Sequence, residues 1–278
     1  MIVFLNGQFV PEADAVVSIF DRGFLYGDGL FETTRVCDGR PFLWGRHLAR
    51  LRHGAELLQL NMPLSDAALT DFAAQVIERN QMPDSVLRLN LSRGTGPRGY
   101  STKGCEKPTI AMSLHPAPEL ENAKSIRLIT ANQPLASDDS LNQAKTSNKL
   151  TNVLARSEAD AHGADDALLI NTHGDVAEAT ASNLFWISGN TVSTPPITSG
   201  AVAGITRGFV IELCQRLGLT ARETAITRAQ LTSTEGIFLT NSVQGITEAS
   251  TLDGAPIPQS PLTARLRGAY TEALRAGH

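Results

Sequence analysis

Only three cysteines occur in 278 residues, Cys37, Cys105 and Cys214, odd in number and far apart. That excludes a disulfide framework and fits a reducing compartment, with the cytoplasm as the expected location. Basic runs are missing as well: 24 Lys+Arg stand against 28 Asp+Glu, a formal net charge of -4. Without clustered cations to neutralise phosphates, no nucleic-acid partner is expected. Apolar runs are short, as at Ala167 to Ile170, well under the ~18 residues of a membrane-spanning helix, so no membrane partner is expected. Residues 1–7 have neither a charged n-region nor a long apolar stretch, which argues against a signal peptide. The six histidines, His47, His53, His115, His162, His173 and His278, lack Cys or His neighbours at ligand spacing, so no metal is expected. There is no low-complexity tract and no solenoid-length repeat.

What is present is a globular composition, 42% hydrophobic and 19% charged, long enough for one large or two modest cored domains. Asn6-Gly7 supplies the positive φ angles of a two-residue turn, which predicts a hairpin from Ile2 to Val10. A second strand pair is expected around Asp38-Gly39. Leu48, Leu51, Ala55 and Leu58 recur at helical spacing, and Ser65 is placed to cap a helix carrying Leu69, Phe72, Ala73, Val76 and Ile77. Leu87, Leu89 and Leu91 alternate with polar residues as a half-buried strand does, and Thr109 to Leu114 reads as its partner. The Pro-rich polar stretch at 116–122 reads as a linker, giving a small α+β domain at 1–115 and a larger one at 123–278. The second domain is expected to hold strands near 126–130, 167–170, 183–187, 191–193 and 237–240. Its helices are expected near 148–162, 206–217 and 262–276, the first two stopped by Gly163 and Gly218. Mostly antiparallel strands with flanking helices make the fold class α+β.

Two patterns fail on their surroundings. Gly94-Thr95-Gly96-Pro97-Arg98-Gly99 matches G-x-G-x-x-G, but Pro97 and the residues after it do not open the helix that a dinucleotide site needs. Gly204-Ile205-Thr206-Arg207-Gly208 is a weak nucleophile elbow without an assignable His/Asp partner. It makes better sense as a helix start, whose N–H groups and positive dipole end suit an anion.

Four features stand out together: Lys145 a turn ahead of a helix, Glu178 inside a short strand, the glycine and hydroxyl at Gly204 to Thr206, and Arg50 on a helix between apolar positions. Phe20 to Glu32 contributes a glycine-rich signature upstream. In this order and spacing they resemble the class IV aminotransferases, the fold-type IV pyridoxal phosphate enzymes, over nearly the whole chain. The resemblance implies a two-domain fold and pyridoxal 5′-phosphate as cofactor, held as a Schiff base by Lys145, with Glu178 facing the pyridine nitrogen. Arg50, Ile205, Thr206 and Ser242 would hold the phosphate. Where many branched-chain members carry a tyrosine near O3′, this chain has Lys149. A homodimer is implied too.

The physical reasons are independent of the family. A lysine forms a Schiff base only when its amine is neutral part of the time, which desolvation favours. Released by substrate, the same amine moves a proton at Cα. A carboxylate at the ring nitrogen keeps the pyridinium protonated and electron-hungry. An arginine and a helix start bind phosphate by charge-assisted hydrogen bonds.

The reaction is left between readings. The leading one is transfer of an amino group between an α-amino acid and a 2-oxo acid. Ser92 to Tyr100, Phe31 to Arg35 and Thr240 to Ile246, the last containing Val243, are also similar to aminodeoxychorismate lyases. Release of pyruvate from 4-amino-4-deoxychorismate to give 4-aminobenzoate is therefore the alternative, and a non-catalytic cofactor-binding protein the second. Arg98 stands where D-amino-acid aminotransferases keep a carboxylate-binding arginine, while Phe31 and Tyr100 replace their accompanying tyrosine and histidine. Arg98, then Arg35, are the candidates for a substrate carboxylate, with Phe31, Tyr100 and Val243 lining that side.

Overall fold

The computed structural model describes residues 1–120 and 124–277. Glu121 and Asn122, the end of the expected linker, lie outside them, while its first residue, Pro116, closes a strand. The chain divides into two compact units. One comprises Met1–Ala117, the separate stretch Ala144–Asn148 and Gly277; the other comprises Pro118–Gln143 and Lys149–Ala276.

The first unit opens with the predicted hairpin of β1 (Ile2–Leu5) and β2 (Gln8–Pro11), turned by Asn6 and Gly7 at φ 49° and 90°. Then come α1 (Arg22–Tyr26), β3 (Gly29–Cys37), β4 (Arg40–Pro41), α2 (Trp44–Leu57), α3 (Asp66–Asn80), β5 (Ser85–Ser92) and β6 (Thr109–Pro116). Their sheet runs β2-β1-β6-β5-β3-β4, every pairing antiparallel. Ser65 caps α3, its hydroxyl accepting the Ala68 N–H at 3.2 Å. Leu48 and Leu51 of α2, Leu69 and Val76 of α3, and Leu87, Leu89 and Leu91 of β5 share one buried core. Truncating any of these leucines to alanine is worth roughly 2–5 kcal/mol.

Strand alternation along β3 divides the unit's chemistry. Leu30, Glu32, Thr34 and Val36 are buried, whereas Phe31, Thr33 and Arg35 are half-buried. A period of two thus puts Glu32 on the opposite face from Phe31.

The second unit holds β7 (Ile126–Thr130), α4 (Leu150–Ala161), β8 (Asp166–Ile170), β9 (Val176–Ala179), β10 (Asn183–Ser188), β11 (Thr191–Thr194), α5 (Ile205–Arg216), β12 (Thr220–Glu223), α6 (Arg228–Leu231), β13 (Gly236–Asn241), β14 (Gly245–Leu252), β15 (Ala255–Pro256) and α7 (Pro261–Ala276). Its sheet is ordered β12-β11-β10-β13-β14-β7-β8-β9, with β15 on β14. Three pairings, β11 with β12, β14 with β7 and β7 with β8, are parallel and the rest antiparallel, so the sheet is mixed and the fold α+β. β14 was not foreseen: Thr247, Glu248, Ser250 and Thr251 give it a polar reading. It becomes a strand because β13 and β7 take up its backbone groups on both edges.

Candidate active site

Lys145 lies within the first unit because its neighbours are fastened to β3. Ala144 joins the buried core, in contact range of Gly54 in α2, where a Cβ would press on Leu30 and Ala144. The Lys145 carbonyl accepts the Phe31 N–H at 3.1 Å, and the Ser147 N–H donates to the Gly29 carbonyl at 2.9 Å. The Asn148 amide donates to the Gly27 carbonyl at 3.1 Å. Held this way, the Lys145 Nζ sits 4.6 Å from the centre of the Phe31 ring.

A second cation shares that ring. The Arg88 guanidinium carbon lies 3.7 Å from the Phe31 centroid. Its Nη1 donates to the Thr33 hydroxyl and its Nε to Asn90, both at 3.1 Å. Loss of water pulls this guanidinium down to about 10, with Glu32 opposing; it is still protonated at neutral pH. Two positive groups over one half-buried aromatic ring favour an anion beside them.

On the opposite face of β3, Glu32 is 1% exposed. Arg50 clamps it through Nε to Oε1 at 2.8 Å and Nη2 to Oε2 at 2.7 Å, and His47 Nδ1 meets Oε2 at 2.7 Å. Burial alone would raise this carboxyl, but Arg50 and then His47 outweigh it and bring it down to about 2. Burial is also the main influence on His47, lowering its pKa, with the Arg50 and Lys145 charges adding to it and Glu32 opposing. Because an ionised Glu32 can only accept, the neutral His47 ring carries its proton on Nδ1.

In the second unit, Glu178 of β9 is 7% exposed. Its Oε2 accepts the Val202 N–H at 3.0 Å and the Asn183 amide at 3.3 Å. The same Asn183 nitrogen donates to the Val202 carbonyl at 2.9 Å. Lys149, the residue before α4, is held below the ordinary lysine range by loss of water, while the negative charge of Glu178 opposes the shift.

Two residues beyond Val202, Gly204 begins α5 with no side chain capping it. The N–H groups of Ile205 and Thr206 open that helix. The Thr206 hydroxyl is 3.5 Å from the Ser242 hydroxyl. Ser242 is presented by a turn in which Asn241 Oδ1 accepts the N–H groups of Val243 and Gln244, at 2.9 and 2.8 Å. An uncapped twelve-residue helix start with two converging hydroxyls suits a phosphate. A buried carboxylate on hydrogen-bond donors suits a cationic ring nitrogen, so this unit's residues fit a phosphorylated pyridinium.

The structure therefore brings Lys149, Glu178, Ile205, Thr206, Ser242 and Val243 into one unit. Phe31 and Lys145 meet in the other, where Arg50 bonds to Glu32. Arg98 and Tyr100 are exposed, Tyr100 at 86%. They ride a loop braced by Arg22, which donates to the Gly99 carbonyl at 2.8 Å and to Asp28 at 2.9 Å. Gly94 has φ 78° and lies against the Lys107 carbonyl with no room for a Cβ, a steric reason for a glycine in the G-x-G-x-x-G stretch. Sequence reasoning passed over Glu32, Arg88 and Asn183. The alternation that marked Leu87, Leu89 and Leu91 already put Arg88 on the opposite face, a signal that was available.

The pattern of the class IV amino-transferase family matches residues 29–252. A Methanocaldococcus jannaschii protein provisionally named branched-chain-amino-acid aminotransferase is 36% identical over 92% of this chain and 90% of its own. The aminodeoxychorismate lyase of Bacillus subtilis is 31% identical over 87% of this chain and 83% of its own. Among solved structures, the branched-chain amino acid aminotransferase of Escherichia coli has a TM-score of 0.90 at 25% identity, covering 99% of this chain and 95% of that one. A further branched-chain amino acid aminotransferase, solved with pyridoxamine 5′-phosphate, has a TM-score of 0.94 at 27% identity, covering 100% of this chain and 95% of that one.

Proposed function

The chain belongs to the class IV aminotransferases, and from that premise we propose that it moves an amino group between an α-amino acid and a 2-oxo acid, using pyridoxal 5′-phosphate. The observation that carries this reading is the pair of cations on Phe31: the Lys145 amine at 4.6 Å and the Arg88 guanidinium at 3.7 Å. An α-amino acid and its 2-oxo acid each offer a carboxylate beside the carbon that changes. Arg88 is assigned to that carboxylate and Lys145 to the proton on the neighbouring carbon.

When bound, pyridoxal 5′-phosphate supplies an electron sink for the pair left by a broken Cα–H bond. We assign Ile205 and Thr206, with the Ser242 hydroxyl, to its phosphate. Glu178 keeps a proton on the ring nitrogen, and Lys149 adds a partly desolvated amine near the same acid. Lys145 holds the cofactor covalently, takes the Cα proton once released and returns it. Phe31 shields that exchange from water. Arg50 is assigned to the phosphate with Glu32 fixing its plane, while Arg35, Arg98, Tyr100 and Val243 stay assigned to the substrate side.

A lyase reading is favoured by the Bacillus subtilis relative. The two separate by product. Amino-group transfer from an amino acid to a 2-oxo acid, with the cofactor cycling between its aldehyde and amine forms, supports the aminotransferase. Pyruvate and 4-aminobenzoate from 4-amino-4-deoxychorismate, without any 2-oxo acid acceptor, would overturn it.

No helix among the described residues is long and apolar enough to cross a membrane. A cytoplasmic homodimer completes the reading. Val16, Ile19, Phe20 and Phe24, 77%, 66%, 63% and 74% exposed, form an apolar segment suited to cover by a second copy.

A further inference from the structure

We propose that Asn183 is a positioning residue for the cofactor, setting the separation between the Glu178 carboxylate and the anion seat at the start of α5. This rests on the reading above, in which Glu178 answers the ring nitrogen and the α5 start the phosphate. Those two groups of the cofactor are joined by a short covalent link of limited span. A protein that binds both must hold its two seats at the matching distance.

Asn183 is the first residue of β10, 6% exposed and in register with Thr240 of β13. Its amide nitrogen donates to Glu178 Oε2 at 3.3 Å and to the Val202 carbonyl at 2.9 Å, and the Val202 N–H closes the ring onto the same carboxylate oxygen at 3.0 Å. Both amide hydrogens are thereby used. The other end of the amide faces α5. A Cβ on Gly204 would overlap Asn183 Oδ1. Gly204 has φ −67° and ψ 134°, open to any residue, so its backbone conformation does not demand glycine. The close approach of Asn183 does. One side chain therefore bonds to the acid and packs against the residue that begins the phosphate helix.

Asn183→Asp tests this in the full-length, cofactor-loaded protein, since aspartate keeps the size and removes both donors. Binding of pyridoxal 5′-phosphate should respond both to the loss of the donors and to the negative charge that aspartate adds beside Glu178. We expect it to weaken roughly 10- to 100-fold, the range for hydrogen bonds to a charged group. The pH dependence of the bound cofactor's absorbance should move too, because a second carboxylate beside Glu178 disfavours its ionised form. Wild-type values for both readouts would mean that Asn183 makes no bond on which the two seats depend, and that result overturns the proposal. If Asn183→Asp does not fold, a cycle replaces it. Gly204→Ala should lose cofactor, whereas Asn183→Ala/Gly204→Ala should bind no more weakly than Asn183→Ala, because the obstructing oxygen is gone. Additive losses in that cycle would overturn the coupling. Wild-type protein that takes up no pyridoxal 5′-phosphate sinks the proposed function itself, a failure visible before any variant is made.

Discussion

Glu32 in the first unit and Glu178 in the second are almost equally buried, at 1% and 7% exposure, yet they are answered differently. Glu32 takes both ends of an arginine fork and an imidazole. Glu178 Oε2 takes a backbone N–H and a neutral amide. An arginine cancels the charge it meets, so the Glu32 carboxylate becomes part of the frame that orients Arg50. Neutral donors stabilise an anion without cancelling it, and the negative charge of Glu178 acts on Lys149. Burial alone does not distinguish the two acids; the donors that meet them do.

Four substitutions break or sharpen this contrast. The largest effect is expected from Lys145→Ala, which removes the amine over Phe31. Turnover should fall on the order of 10²–10⁴-fold or beyond detection, and borohydride should fix no cofactor to the chain. A fixed adduct in that variant would transfer the covalent role to another lysine, Lys149 first.

Glu178→Gln keeps shape and removes charge. Single-turnover loss of the Cα proton should slow by about 10²–10³-fold while the melting temperature stays near wild type. Unchanged rates would return Glu178 to the same structural class as Glu32.

Glu32→Gln should show the reverse pattern, a stability loss of roughly 3–5 kcal/mol from leaving Arg50 facing a neutral amide, read by urea unfolding. Its pH signature has a definite sign. The folded-state value of about 2 lies below the ordinary 4.5, so the ionised acid stabilises the fold fully above about pH 4.5. That contribution, on the order of 3 kcal/mol, is lost as the pH falls towards 2. The variant should lack this part of the acid limb. Stability curves that superimpose from pH 2 to 7 would refute the clamp.

Arg88→Gln should give the smallest change, about a tenfold rise in KM for the 2-oxo acid with kcat less affected, as expected for a charge-assisted contact. If kcat falls and KM does not, Arg88 acts on the reacting carbon and the carboxylate role passes to Arg98 or Arg35.

Much of the scaffold was legible because its signals are local. The Asn6-Gly7 turn, the Ser65 cap and the leucine spacings of α2 and β5 need only neighbours a few positions away. The resemblance to class IV aminotransferases likewise singled out Lys145, Glu178 and Thr206. The surroundings of those residues were not legible. Arg50 read as a phosphate ligand alone until Glu32, eighteen residues earlier, was seen clamping it. Asn183 looked like a polar strand start, and its bond to Glu178 depends on the turn between β9 and β10.

By itself the amino-acid order determined most of the local elements, because periodicity, turns and caps act over a few residues, and its resemblance to the class IV aminotransferases marked the lysine, acid and helix start that are proposed to carry the chemistry. Only the tertiary structure decided what each charge meets. The Lys145 segment is bonded to β3 across more than a hundred residues, and Val202 reaches Glu178 across twenty-four. Hydrogen bonding and desolvation depend on distance in space, and chain packing alone sets that distance.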